Sequence, residues 1–469
     1  MKDKFSNLAI CAVATGIIYL IWLAIAVRGV LGLIYFLLEL GMFLLLFLFI
    51  VNHRSRRYVL SGGSYSLRGI VDVLIPTKGE PAEMVEETVQ AIKAITYPNV
   101  RLYIIDDGNR EEIKSLAKKY QGEYLVRPDR ESKAYKAASL NYGLNHSYGN
   151  YVLVLDADQK VRASIFDDLL GHFKDEKLAY IATRQWFDVP EKDFNHDHLF
   201  YEYMQPGKGA RSASISCGSG VIYRRSALAA IGGFSEWNIV EDLHTSYMFN
   251  SYGFKGIYTN QSYTVGEAPT DLKVIYKQRG TWALDSLRLM LWQMPFFNRK
   301  LTFTQKLHYF EMGYMYLVSA LLLPLIFFVN YYALFFNVTF VSAGFLYLIF
   351  KLPSFYFTLR LYDKLGRGSS ASRMWAALSP IYLRSLLIAI LRKKPKYQVT
   401  EKSKTVSKKR QVRLILPQTF IIVLGVIAIL YHLTHFQITT LLVVNFFWFI
   451  VIIYWLWPVF PKALARKTA

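Results

Sequence analysis

The stretch Tyr151-Val152-Leu153-Val154-Leu155-Asp156-Ala157-Asp158 decides the fold: an apolar run of strand length breaks directly into two carboxylates one residue apart. If strand geometry persists past Leu155, alternation turns Asp156 and Asp158 to the same side. Two hard oxygen ligands so placed suit Mg2+ or Mn2+, ions that keep waters and share a nucleotide's phosphates. A lone Asp-x-Asp is more often a loop, so the surroundings have to choose. Upstream, Leu102-Tyr103-Ile104-Ile105 runs likewise into Asp106-Asp107-Gly108, and Val71-Asp72-Val73-Leu74-Ile75 is a third apolar run, with helical stretches between them. This alternation predicts a mostly parallel sheet buried between helices. Both acidic turns then lie at the C-terminal strand edge, where open α/β sheets bind ligands. A polar turn capping the next helix accounts for Asp106-Asp107-Gly108 equally well.

Outside residues 68–284 the composition changes. Of 469 residues, 53% are hydrophobic and 16% aromatic, and mean hydropathy is +0.22, which points to a membrane protein. Apolar runs at 8–27, 30–51, 308–329, 331–350, 413–432 and 438–458 approach the about 20 helical residues that cross a hydrocarbon core. Six spans put both termini on one side. Lys2, Lys4, Arg54 to Arg57, Lys351 to Arg367, Arg392 to Arg410 and Lys462 to Lys467 all fall on that side, as the positive-inside rule requires. The net charge of +21 is read through that rule and not as a nucleic-acid footprint. The first run is too long for a signal peptide and lacks a small-residue cleavage site, which predicts a permanent anchor. Stretches 285–298 and 372–391, broken by Arg288 and Arg384, predict interfacial helices. Two cysteines, Cys11 and Cys217, give no disulfide framework, and a reducing cytosolic face fits. The expected divisions are two membrane helices in 1–57, a cytosolic α/β domain in 58–284, interfacial helices with two spans and a basic segment in 285–410, and two last spans with a basic tail in 411–469.

Two further motifs carry chemistry. Val240-Glu241-Asp242 opens a helical stretch, and a carboxylate there can deprotonate an attacking hydroxyl, although acidic residues favour the first turn of any helix. Gln278-Arg279-Gly280-Thr281-Trp282 stands directly before the first expected interfacial helix. Its indole can stack on a sugar ring and its Gln and Arg can bind hydroxyl or phosphate oxygens; an interfacial Trp anchor is the competing reading.

The order of these motifs resembles processive family 2 glycosyltransferases, most closely the bacterial cellulose synthase catalytic subunits, over nearly the whole chain. The resemblance implies a GT-A type domain between membrane helices, acting on a UDP-sugar and a growing polysaccharide with Mg2+ or Mn2+. It assigns nucleotide contacts to Thr77 and Glu80 in Pro76-Thr77-Lys78-Gly79-Glu80-Pro81, to Asp106 and Asp107, to Lys136 and Asp156, and to Gln278 and Arg279. It makes Asp158, with Asp156, the metal ligand and Asp242 the catalytic base, Val240 replacing the family's Thr. Cys217 and Gly218 in Ser216-Cys217-Gly218-Ser219, together with Glu241 and Trp282, are implied to meet the acceptor. Ser214 and Ile215 replace two expected aromatics, and Thr281 replaces a second Arg. Tyr397-Gln398-Val399-Thr400-Glu401-Lys402 resembles the cellulose synthase gating loop and adds Thr400 and Lys402 to the nucleotide contacts, a basic juxtamembrane linker being the plainer reading. The chain has two leading spans where the family has four, and no cyclic-dinucleotide-binding barrel is expected.

Together these imply inverting transfer of glucose from UDP-glucose to a β-glucan and its passage outward through the bilayer, from a multi-pass plasma-membrane protein with a cytoplasmic catalytic domain and accessory export subunits as further partners. Rival readings are another polysaccharide synthase of the hyaluronan, chitin or poly-N-acetylglucosamine type, single transfer to a lipid, and a transporter or receptor. Transporters carry ionisable residues inside their spans, and these spans are almost free of them.

Overall fold

The computed structural model describes residues 2–54, 69–133, 135–189, 193–269, 271–342, 344–368, 370–392 and 408–464. Thr400 and Lys402, and with them the whole gating-loop-like segment, lie outside the described residues.

The apolar runs form strands. β1 (Val71–Thr77), β2 (Val100–Asp106), β3 (Glu123–Leu125), β4 (Tyr151–Val154), β5 (Lys160–Val161), β6 (Leu178–Asp188), β7 (Val221–Arg224) and β8 (Lys255–Glu267) make one eight-stranded sheet, ordered β3-β2-β1-β4-β7-β6-β8-β5. β3, β2, β1 and β4 are mutually parallel, β7 runs against both its neighbours, and β6 is again parallel to β8. Val71, Val73 and Ile75 bury one face of β1 and Leu74 the other, which is the double-sided burial of a parallel sheet covered by helices. Each such side chain contributes roughly 1.5–3 kcal/mol. The register pairs Thr77 with Asp106 and Leu74 with Val154, so β1, β2 and β4 end side by side. Their following turns carry Glu80, Asp107 and Asp156 along one edge.

Among the described residues four helices are long and apolar enough to cross a membrane: Asn7–Ala26, Gly29–His53, Phe303–Phe336 and Leu416–His435. Thr440–Leu456 is apolar but shorter. The expected span 308–329 lies inside the helix Phe303–Phe336, whereas the expected span 331–350 is corrected. Phe303–Phe336 is one helix of 34 residues, about 51 Å long at 1.5 Å per residue. It stops at Asn337, whose left-handed φ of 49° caps it. The chain then turns back at Val341, which bridges Val27, and re-enters as Leu346–Leu365. Lys351, expected on the cytosolic side, therefore lies within the bundle, buried against Glu39. The spans carry more charge than their composition suggests. The first expected interfacial helix is also corrected: it begins at Leu272, runs to Arg288 and continues to Gln293, so Gln278 to Trp282 lie inside it. The stretch 372–391 forms two short helices, Ser370–Ala377 and Ser379–Ile390.

Candidate active site

A cleft of about 500 Å³ opens at the strand edge, between the sheet and the helix Leu272–Arg288. Thr77, Glu80, Asp107, Lys136, Asp156, Asp158, Cys217, Gly218, Asp242, Gln278, Arg279 and Trp282 line it. Residues far apart in the chain thus meet in one space. Asp106 does not face it. Its fully buried carboxylate accepts from the Gly108 and Arg110 N–H groups, the Arg110 guanidinium and the Tyr124 hydroxyl, and so shapes the turn that presents Asp107.

Asp107 is clamped. The buried Arg127 guanidinium donates to its two oxygens at 3.0 and 2.6 Å, and Ser139 Oγ donates at 2.9 Å. Breaking a buried pair from one side costs far more than the pair contributes to stability. Arg127→Met is expected to destabilise the catalytic domain by about 3–5 kcal/mol, visible as a lowered thermal midpoint in detergent together with weaker nucleotide binding. Nearer the β1 turn, Glu80 Oε2 accepts from the Lys78 and Gly79 N–H groups and from Thr77 Oγ1. Burial opposes ionisation of Glu80, but these donors outweigh it and hold its carboxyl below the usual value.

The centre of the cleft is a knot of opposite charges. Lys136, at the start of the helix Lys136–Asn145, places Nζ 2.6 Å from Asp156 Oδ1, 2.6 Å from the Gly218 carbonyl and 3.5 Å from Glu241 Oε1. Burial would lower its pKa, yet Asp156 and then Glu241 hold the ammonium charged and push the pKa above the ordinary lysine value. Gly218 takes φ +72°, and a Cβ there would stand 3.3 Å from Glu241 Oε1 and 3.7 Å from Asp242 Oδ2. The loop approaches the carboxylates this closely because glycine occupies that position.

Glu241 and Asp242 begin the helix Glu241–Ser251. Both carboxyls are pushed above the usual range: Glu241 by burial against the pull of Lys136, Asp242 by burial and then by Glu241 beside it. Val240 cannot cap this helix with its side chain. Asp285, buried on the helix Leu272–Arg288, accepts from the Val240 N–H at 2.7 Å and the Ile239 N–H at 3.3 Å instead. Burial raises the Asp285 pKa to about 7. Asp285 thereby ties the helix Leu272–Arg288 to the turn that precedes Asp242. Asp285→Asn replaces one of these two acceptor oxygens with an NH2 group that faces an N–H donor, and is expected to lower kcat about tenfold with little change in donor KM, checked by steady-state kinetics at several pH values.

Arg279 is spent inside the protein. It donates to Asp197 at 2.6 and 3.0 Å and to Asn195 at 3.0 and 2.7 Å, and lies 4.9 Å over the Trp282 ring. It therefore fixes the indole face at the cleft wall. Thr281 Oγ1 donates to the Lys277 carbonyl within the same helix. Sequence reasoning missed Asp285, Arg127, Ser139, Asn195 and Asp197. For Asp285 a signal existed, because 278, 282 and 285 share one helical face once the motif is placed within a helix.

Asp156 and Asp158 fit a hard divalent cation as a donor set. Both line the cleft, and the Asp156 side chain remains 41% exposed although one oxygen meets Lys136. A three-residue cluster of His53, His308 and Glu311 also has ligand atoms close together. It lies where the helix Gly29–His53 meets the α/β domain, away from the cleft, and Lys208, whose Nζ donates to the His308 carbonyl, sets a competing cation beside it.

Residues 72–232 match the family described as Glycosyl transferase family 2. This stretch of the α/β domain is thus similar to family 2 glycosyltransferases. A cellulose synthase catalytic subunit (UDP-forming) from Pseudomonas fluorescens is 32% identical over 252 residues, covering 51% of this chain and 34% of the relative. The cellulose synthase 1 catalytic subunit (UDP-forming) from Komagataeibacter xylinus is 28% identical over 356 residues, covering 71% of this chain and 47% of the relative. The chain thus spans less than half the length of these curated relatives. A mannosyltransferase from Pyrobaculum calidifontis, solved with GDP-Man and Mn2+, superposes with a TM-score of 0.58 at 16% identity, covering 78% of this chain and all of that one. That likeness establishes the GT-A type fold of the glycosyltransferase domain.

Proposed function

We propose that this chain is a membrane-embedded inverting glycosyltransferase that takes glucose from UDP-glucose, lengthens a β-glucan and passes it outward through its own membrane helices. The observation that carries the reading is Asp242: a carboxylate at the cleft wall, kept basic by burial and by Glu241, with the Trp282 indole lining the same cleft. In this reading Asp242 takes the proton from the acceptor hydroxyl, and Trp282 stacks on the acceptor's terminal sugar. Asp107, Glu80 and Thr77 face the uridine end of the donor, with Gln278 and Lys136 at the diphosphate. Arg279 serves by holding Trp282. Asp156 and Asp158 would hold Mg2+ or Mn2+, which when bound supplies charge neutralisation for the departing UDP. Cys217 and Gly218, at φ +61° and +72°, form the strained turn that brings backbone to the acceptor. The bilayer is the remaining partner, with the catalytic domain on the cytoplasmic side. The relatives named as cellulose synthases support glucose over other sugars.

Transfer of one sugar to a lipid is the second reading, and the mostly apolar wall of the cavity beyond Trp375 favours it. Product size separates the two. Sizing the labelled product and digesting it with linkage-specific glycanases should give a long, β-glucanase-sensitive chain; a single labelled lipid would replace the proposal with the second reading.

A further inference from the structure

Two charges meet inside the membrane helices. Lys351 Nζ donates to both oxygens of Glu39, at 2.6 and 2.5 Å. Tyr35 donates to Glu39 Oε1 at 3.0 Å and its hydroxyl lies 2.7 Å from that of Tyr347, while the Lys351 ammonium stands 4.7 Å over the Tyr19 ring. Three chain segments, the first two membrane helices and Leu346–Leu365, converge on this pair. A buried ion pair is poor evidence of stabilisation, because apolar residues of similar volume often do as well. An ionisable residue at membrane depth is a functional feature by default.

The pair also faces open space. A cavity of about 230 Å³ lies between these helices, with Glu39 and Lys351 in its wall. Leu199, Met315 and Trp375 line this cavity and the catalytic cleft alike, so the two spaces are neighbours through those side chains. Leu, Phe and Met supply much of the remaining wall, with Tyr19, Ser319, Ser354, Thr358, Tyr362 and Ser372 as its hydroxyl-bearing residues. Glu39 precedes His53, where the second membrane helix reaches the catalytic domain, by 14 residues, about 21 Å of helix. The pair therefore stands toward the end of the cavity remote from the chemistry.

A sugar polymer crossing an apolar wall must hydrogen-bond its hydroxyls or lose their hydration without replacement. On this wall Glu39 and Lys351 are the strongest acceptor and donor, and at rest each occupies the other. We propose that Glu39 and Lys351 form a saccharide-contacting latch, closed on each other when the cavity is empty and parted by a polymer whose hydroxyls donate to Glu39 and accept from Lys351. This rests on the polymer-exporting reading of the cleft.

The test uses the full-length protein in lipid vesicles with UDP-glucose and Mg2+. The double variant Glu39→Gln/Lys351→Met removes both charges together, so neither is left unpaired. It is expected to make its first transfers within about threefold of the unmodified protein while its product shortens about tenfold or more. In parallel, a Thr358→Cys reporter alkylated with N-ethylmaleimide and read by peptide mass spectrometry should be protected about fivefold or more during synthesis. Product of unmodified length from the intact double variant would overturn the latch, as would unchanged alkylation during synthesis. If the double variant does not fold, the alkylation result decides. Should the unmodified protein yield only a one-sugar lipid, the polymer reading itself falls and the latch with it, an outcome distinct from a normal polymer indifferent to the pair.

Discussion

Asp242→Asn is expected to lower sugar transfer on the order of 10³-fold, within the range a positioned general base contributes, while the affinity for UDP measured calorimetrically stays close to that of the unmodified protein. Asn has nearly the shape of Asp but cannot take a proton. The same residue sets the pH dependence. Burial and Glu241 raise its pKa above the usual carboxylate range, so the protonated, inactive form accumulates as pH falls toward and below neutrality. Activity should therefore rise as pH climbs from about 6 to about 8, above the about 4 at which a free carboxyl titrates, and the residual activity of the Asn variant should lose this rise. A variant retaining transfer within a factor of about ten would remove Asp242 from the base role.

Lys136→Met is expected to be nearly as damaging, for a different reason. Lys136 is the cation set among Asp156, Glu241 and the Gly218 carbonyl. Without it, Glu241 keeps its burial but loses the charge that opposes it, and its neighbour Asp242 feels the change. Loss of transfer on the order of 10²-fold is expected, with the acidic limb of the pH profile moved to higher pH, because each carboxyl then binds its proton more tightly. Lys136→Arg should recover part of the activity by restoring the charge. A pH profile unmoved by Lys136→Met would mean that the lysine contacts substrate alone and leaves the carboxylates unaffected.

The parts of this architecture that were legible in the sequence are those written in contiguous residues. Leu153 to Asp158 and Ile104 to Asp107 each join an apolar strand to a carboxylate, and the sheet edge follows from that junction alone. The break at Asn337 was invisible because residues 331–350 are apolar on both sides of it, and hydropathy does not register a left-handed backbone. Lys351 reads as a cytosolic-side charge because its partner Glu39 is 312 positions away. The start of the helix containing Trp282 is hidden because Lys273, Lys277 and Arg279 interrupt the apolar pattern ahead of residue 285, whereas in the fold Arg279 is buried on Asp197 and Asn195. Arg127 follows a strand of only three residues and carries no pattern that marks it as the clamp on Asp107. Asp106 and Asp107 look equivalent in the string, but alternation at the end of β2 buries one beneath the turn and leaves the other at the cleft.

The most direct test is UDP release by the purified protein in lipid, measured across a panel of UDP-sugars with Mg2+ or Mn2+ beside the Asp242→Asn variant. Metal-dependent UDP release from UDP-glucose is expected, coupled to labelled product and lost in the variant. A folded protein that releases UDP from no donor, or that releases it equally well with Asn at 242, would contradict it.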